Sequence, residues 1–193
     1  RDDVYARLLS WVKSGGKLLI TGDISYDEDR QRTRSDRLKE LAGVVFVAEN
    51  YPDVQRDSGK DAGAAFSLPG LTPSPVRPCI RVKLRGADPL GQTAQGEPVL
   101  VRNAVGRGEV YYLSDPAELA PATDSPGICR QLYAAFLRAA GIQPLGVQPN
   151  EPWLHVMAQA TSGGLVHVIG NTKTEPGRED VRIPTSAGEL ALT

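Results

Sequence analysis

The sequence is poor in the residues that build most reactive centres. Its only cysteines are Cys79 and Cys129, and its only histidines are His155 and His167. Two isolated cysteines exclude a disulfide framework and a zinc-ligand spacing. Reduced thiols and a cytoplasmic setting are therefore expected, with a single Cys79–Cys129 disulfide left open. Neither sign of charge is in excess: 22 Lys and Arg stand against 23 Asp and Glu. Nucleic acids and anionic membranes select basic surfaces, so neither is expected as a partner. No apolar run approaches the roughly 20 residues of a bilayer span. The chain opens Arg1-Asp2-Asp3 without a leader and passes straight into an amphipathic pattern, so a piece of a longer protein is expected.

What is present is enough to build a core, since 40% of residues are apolar and 23% charged. Val4, Leu8, Leu9 and Val12 mark one face of a helix that Gly15-Gly16 ends. Lys17–Thr21 is a short, nearly continuous apolar run, as in a strand covered on both faces. A second helix is predicted from about Ser35 to Ala42, and a second buried strand over Val44–Val47. Helix, strand, helix, strand is the α/β pattern, and it predicts a parallel sheet with the 17–21 and 44–47 strands as neighbours.

Residues 49–78 are rich in Pro and Gly and read as elaborated surface. Ile80–Leu84 alternates like a half-exposed strand. Pro98–Asn103 and Glu109–Leu113 flank Val105-Gly-Arg-Gly108 as a hairpin. Ser125-Pro126 opens a helix with Ile128, Leu132, Ala135, Phe136 and Ala139 on one face. From Gln143 prolines space out a linker. Beyond it, Trp153–Ala160, Leu165–Ile169 and two shorter runs near Ile183 and Leu190 read as antiparallel strands, of a domain expected to be cut short at Thr193. Two domains are expected: 1–146, α/β, and 150–193, a small β-sandwich type.

Taken in order, three segments resemble a known family. Leu9–Gly22, with its Gly15-Gly16 turn between helix and buried strand, is similar to glutamine-amidotransferase-like domains, especially the trimerisation domain of family 42 β-galactosidases. Val99–Pro116, with Asn103, Gly106, Gly108 and Tyr111-Tyr-Leu-Ser-Asp115, resembles the glycine-kinked hairpin late in such domains. Leu165–Asn171 resembles a strand of the small C-terminal domain of the same enzymes. The resemblance implies a class I glutamine-amidotransferase-like, flavodoxin-like parallel sheet with helices on both faces. It also implies an accessory role in a bacterial-type glycoside hydrolase of carbohydrate metabolism. The partners it implies are a catalytic barrel elsewhere in the parent protein and further copies of the same α/β domain.

Catalytic chemistry within the chain is hard to assemble from these residues. An amidotransferase nucleophile needs a Gly-x-Cys-x-Gly elbow; Gly127-Ile-Cys129 matches only its first half, inside a helix, and no glycine follows Cys79. Both thiols read as structural. His155 and His167 fall on strands that can be neighbours, half of a metal site, but without acidic or thiol residues at ligand spacing. Tyr111, Tyr112 and Trp153 read as core or domain contacts rather than sugar platforms. No cofactor, metal or catalytic residue is assigned.

The most loaded segment is the loop from Asp23 to Arg34, just past a strand's carboxyl end, where α/β sheets bind ligands. Asp23, Asp27 and Asp29 offer an acid–base pair, and Asp27-Glu28-Asp29 offers clustered oxygens for a hard cation. Arg30, Arg32 and Arg34 can neutralise them, and Tyr26 offers an apolar anchor. Asp23, Tyr26, Asp27, Asp29, Arg30, Arg32 and Arg34 are the interface or ligand-contact candidates. An interface or a structural ion-pair network is the leading reading. A sugar- or small-ligand-binding module and a hydrolase using the loop's acids are the alternatives.

Overall fold

The computed structural model describes residues 2–49, 62–119, 127–142, 154–161, 164–171, 181–185 and 188–192. The chain divides into two compact units, Arg1–Ala140 and Gly141–Thr193. The proline-spaced segment 143–153, Trp153 included, lies outside the described residues.

The first unit opens with helix α1 (Asp2–Lys13) and strand β1 (Lys17–Thr21). Gly15, at φ 120°, takes the backbone out of the helix, and the N–H groups of Gly15 and Gly16 close on the carbonyls of Val12 and Trp11 at 2.9 and 3.1 Å. β1 then pairs in parallel with the strand Gly108–Leu113, Lys17 opposite Glu109.

The remaining strands of the unit, in chain order, are β2 (Val44–Glu49), β3 (Ala62–Phe66), β4 (Ser74–Val76), β5 (Ile80–Leu84), β6 (Asp88–Thr93), β7 (Pro98–Val105) and β8 (Gly108–Leu113). One six-stranded sheet runs β1-β8-β7-β6-β3-β4. Only the β1–β8 pair is parallel; the other four pairings are antiparallel. The β7–β8 hairpin is as expected, turning at Gly106-Arg107, with Gly106 at φ 61°. A Cβ at Gly108 would fall on the carbonyl oxygens of Val12 and Gly16, so glycine is what lets the hairpin seat against the end of α1.

The parallel flavodoxin-like sheet is not what the structure shows. β2 lies beside β5, antiparallel, in a separate two-stranded ribbon. The reason is the connection. A right-handed crossover must carry the chain back along the preceding strand, about 16 Å for five residues. The helical segment here is a single π-helical turn, Leu38–Ala42, too short to run back along a strand. Gly43, at φ 64°, then sends β2 along a different course.

Side chains alternate along β8 and divide the core. Val110 packs with Val12 of α1, Leu41 and Val105. Tyr112 packs with Val44, Ile80, Val82 and Val101, which seats the β2–β5 ribbon on the sheet. Tyr111 and Leu113 point the other way, onto Leu132 and Ala135 of helix α2 (Gly127–Ala139). The predicted stripe of α2 lies in that layer, and Tyr111 meets Phe136 edge-on at 5.5 Å. Tyr111 and Tyr112 are therefore core residues, 3% and 0% exposed.

The second unit supplies the small antiparallel part. β9 (Leu154–Thr161) pairs with β10 (Gly164–Asn171), and β11 (Val181–Thr185) with β12 (Gly188–Leu192). In that register His155 faces Gly170 and His167 faces Ala158, so the two histidines are not a cross-strand pair.

Candidate functional site

The loaded loop leaves β1 at Gly22, whose N–H donates to the Leu113 carbonyl at 2.9 Å. It emerges where β1 and β8 both end. Its centre is the Arg32 guanidinium. Nη1 donates to Asp23 Oδ2 at 2.7 Å and to Ser25 Oγ at 2.6 Å. Nη2 reaches the Tyr26 hydroxyl at 3.2 Å and Glu49 Oε1 at 2.9 Å. The cation also lies over two rings, 4.2 Å from the centroid of Phe46 and 4.9 Å from that of Tyr26. Asp23 completes its own shell by accepting from the Ser25 N–H and hydroxyl at 2.9 and 2.6 Å. The side chains of Arg32 and Asp23 are only 13% and 3% exposed.

Asp27 organises the tip of the loop. Its carboxylate accepts from the N–H groups of Asp29 and Gln31 and from the Thr33 hydroxyl at 3.0, 2.8 and 2.6 Å. The Thr33 hydroxyl, then the Gln31 N–H, hold its pKa below the ordinary value. A general acid of a glycosidase needs the opposite shift. Asp29 and Arg30 are exposed at the turn, with Arg30 at φ 58°. Arg34 bonds Asp2 through Nε and Nη2 at 3.0 and 3.3 Å, and Arg37 reaches the same carboxylate at 2.7 Å. The first turn of α1 is thus tied to the loop that follows β1. Asp2 serves as this anchor, and its pKa is lowered chiefly by Arg34.

The seven candidates therefore divide. Asp23, Tyr26 and Arg32 converge on one internal cluster; Asp27 and Arg34 tie the loop to itself and to α1; Asp29 and Arg30 face outward. Glu49 and Ser25 belong to the cluster and were not legible, since nothing in their spacing links them to Arg32.

A second polar cluster at the same end of β1 also escaped the sequence. Thr21 Oγ1 and the Tyr133 hydroxyl donate to the two oxygens of Glu118, both at 2.7 Å. Burial raises the Glu118 pKa, but the bonds from Tyr133 and Thr21 outweigh it and leave the carboxylate below its usual range. The available signal was Tyr133 itself, an aromatic residue off the apolar stripe of α2.

Neither thiol is placed as a nucleophile. Cys79 is 2% exposed and donates to the Ser114 carbonyl at 3.1 Å. Burial, with Asp23 and Asp115 nearby, pushes its pKa up to about 12. Burial also raises the pKa of Cys129, on α2, and both cysteines are free. Among the described residues no group of three or more His, Cys, Asp or Glu is placed to hold a metal. No described helix is long and apolar enough to cross a membrane. An open groove of about 610 Å³ at β3, β4 and β6 is lined by Ala64, Pro73, Pro75, Thr93 and similar residues, none ionisable.

No protein-family model matches this sequence. No curated protein matches it either. Solved structures do. The β-galactosidase from Bacillus circulans sp. alkalophilus superposes with a TM-score of 0.68 at 17% identity, over 97% of this chain and 29% of that one. The cold-adapted β-galactosidase from Rahnella sp. R3 gives 0.67 at 16%, over 97% and 28%. A GH42 β-galactosidase, Gan42B, gives 0.67 at 18%, over 99% and 28%. The chain thus spans less than a third of the length of these structures, and at such identities the likeness is one of fold. The fold of this chain is accordingly similar to that of one region of β-galactosidases, GH42 glycoside hydrolases among them.

Proposed function

We propose that this chain is a non-catalytic region of a β-galactosidase-like glycoside hydrolase, and that its first unit serves subunit or domain assembly around a separate catalytic barrel. The observation that carries this reading is the fold likeness across nearly the whole chain to a minor part of much longer β-galactosidases. The chemistry of the loop supports it. Asp23 is paired with Arg32 within the fold, and the Thr33 hydroxyl and Gln31 N–H lower the Asp27 pKa, the opposite of what a general acid needs. A glutamine-amidotransferase-like trimerisation domain ending near residue 146, a β domain from about 150 and a cytoplasmic setting are the finer parts of the proposal.

Assembly would use the outward part of the loop, because Arg32 and Asp23 are already engaged within the fold. Replacing Asp29 and Arg30 together by Ala in the complete protein is expected to lower its oligomer mass in sedimentation or to weaken its association, leaving the melting temperature of this unit unchanged. The 193-residue chain alone is expected to hydrolyse neither an aryl β-galactoside nor glutamine. Turnover by the isolated chain that is lost on Asp27→Asn or Cys129→Ala would overturn the non-catalytic reading. Normal assembly of the double variant would overturn the role given to the loop.

A further inference from the structure

Tyrosines beside carboxylates recur in the first unit, and cations close most of them. The Tyr5 hydroxyl donates to Glu40 at 2.8 Å, Lys13 pairs with that carboxylate at 3.3 Å, and the Arg37 guanidinium lies over the Tyr5 ring at 4.7 Å. The Tyr26 ring carries the Arg32 guanidinium, which Asp23 and Glu49 hold. In both places a cation neutralises the acid and a guanidinium covers the ring.

Tyr133 is different. Its hydroxyl and Thr21 Oγ1 donate to the two oxygens of Glu118, both at 2.7 Å, the same phenol-to-carboxylate bond that Tyr5 makes. Among the described residues no cation pairs with Glu118 and none lies over the Tyr133 ring. Both side chains are exposed, Tyr133 by 44%. A carboxylate has about four lone-pair sites, and the two hydroxyls use two of them. An uncompensated acid thus stands beside a bare aromatic face, at the end of the sheet where β1 stops.

The two closed sites show what chemistry completes this one. A guanidinium is planar, lies on a ring and reaches carboxylate oxygens at the ring's rim. An ammonium serves the carboxylate alone, as Lys13 does beside Tyr5. A neutral sugar ring would leave the charge uncompensated. The chain carries a matching group. Arg30 is exposed at the turn of the 23–34 loop, at φ 58°, and makes no ion pair among the described residues. Arg107 is bonded to the Ser14 carbonyl, and Arg138 lies against Gly70. The loop of Arg30 leaves β1 one residue after Thr21, which bonds Glu118, so both features belong to the same end of β1.

We infer that Glu118 and Tyr133 form the receiving half of a contact between copies of this chain, and that the group received is the Arg30 guanidinium of a second copy. The guanidinium lies on the Tyr133 ring and bonds the remaining lone pairs of Glu118. This inference rests on the assembly role given to the loop and names what its outward arginine meets.

Sedimentation of the complete protein over a range of concentrations tests it. Glu118→Arg, which sets like charges together, is expected to weaken association about 100-fold, and Glu118→Gln about 10-fold. Combining Glu118→Arg with Arg30→Glu is expected to restore association to within about threefold of the unaltered protein, a recovery that damage to the fold does not allow. Arg85→Glu in place of Arg30→Glu is expected to restore nothing. Tyr133→Phe keeps the ring and is expected to cost less than about threefold, and Tyr133→Ala about 10-fold. Unchanged association of Glu118→Arg would overturn the inference. If the Asp29 and Arg30 double variant is nevertheless weakened, the assembly role of the loop stands and only this contact falls; if that variant also assembles normally, both fall. A loss in Glu118→Arg that Arg30→Glu does not recover would assign the site to a different partner and equally overturn it.

Discussion

Replacing Arg32 by Ala removes the charge that makes the 23–34 loop a folded object. Asp23, at 3% exposure, then loses its bond to the Arg32 guanidinium, while the two donors of Ser25 remain. Stripping one partner from a buried pair costs about 3–5 kcal/mol, because the remaining charge stays desolvated. The bond to Glu49, which is 55% exposed, adds little, at most about 1 kcal/mol. Contacts with the faces of Phe46 and Tyr26 contribute about 0.5–1 kcal/mol each. Asp23 therefore dominates, and the expected loss is about 4–8 kcal/mol, or a melting temperature lower by roughly 15–25 °C for a unit of this size. The assay is a double-mutant cycle of Arg32→Ala, Asp23→Ala and the pair, followed by chemical denaturation. The double variant is expected to lose about 2 kcal/mol less than the sum of the singles, since the two side chains bond each other directly. Additive losses, or a loss below about 1 kcal/mol for Arg32→Ala, would refute the buried-pair reasoning and return Arg32 to the surface.

Two further outcomes follow from the ionisation chemistry. The lowered pKa of Asp27 means that its contribution to stability is present above its unfolded value, near 3.8, and is lost as pH falls through the folded value. Thr33→Val is expected to raise the Asp27 pKa toward 3.8, read by carboxyl NMR titration; an unmoved titration would show that the hydroxyl does not hold the carboxylate. With Cys79 buried and its pKa near 12, one thiol per chain is expected to react with a thiol reagent at pH 8 in the native protein, Cys129 alone, and the second only on unfolding; two equally fast thiols would contradict the packing around Cys79.

Local elements were legible in the sequence where local chemistry fixes them. The apolar face of α1, the run of β1, the glycine-turned β7–β8 hairpin and the stripe of α2 all follow from spacing and turn residues. The strands β3 and β6 were missed for the same reason in reverse: Ala62-Gly-Ala-Ala-Phe66 and Asp88-Pro-Leu-Gly-Gln-Thr93 lack alternation and strand-favouring side chains. Pairing was the larger gap. Nothing local to Lys17–Thr21 says that its neighbour is Glu109–Leu113 rather than Val44–Val47, and the parallel-sheet expectation failed there. The candidate loop was found from its charge, but its inward and outward residues were separated only by the fold. Arg32 is distinguished from Arg30 by Phe46 and Glu49, on a strand the sequence does not connect to it.

The β1–β8 pairing also sets a clock. Lys17 meets Glu109, a partner 92 residues later (109 − 17) in the chain. At ribosomal speeds of about 5–20 residues per second, α1 and β1 emerge roughly 5–20 s before the strand that buries them has been made. During that interval Val12, Leu18, Leu19 and Ile20 have no β8 to pack against. A nascent chain of this design therefore exposes its first turn-and-strand segment while the hairpin is still being translated. Synonymous changes that slow translation between β2 and β7 would lengthen the exposure and lower the yield of soluble protein without altering a single residue of the finished fold.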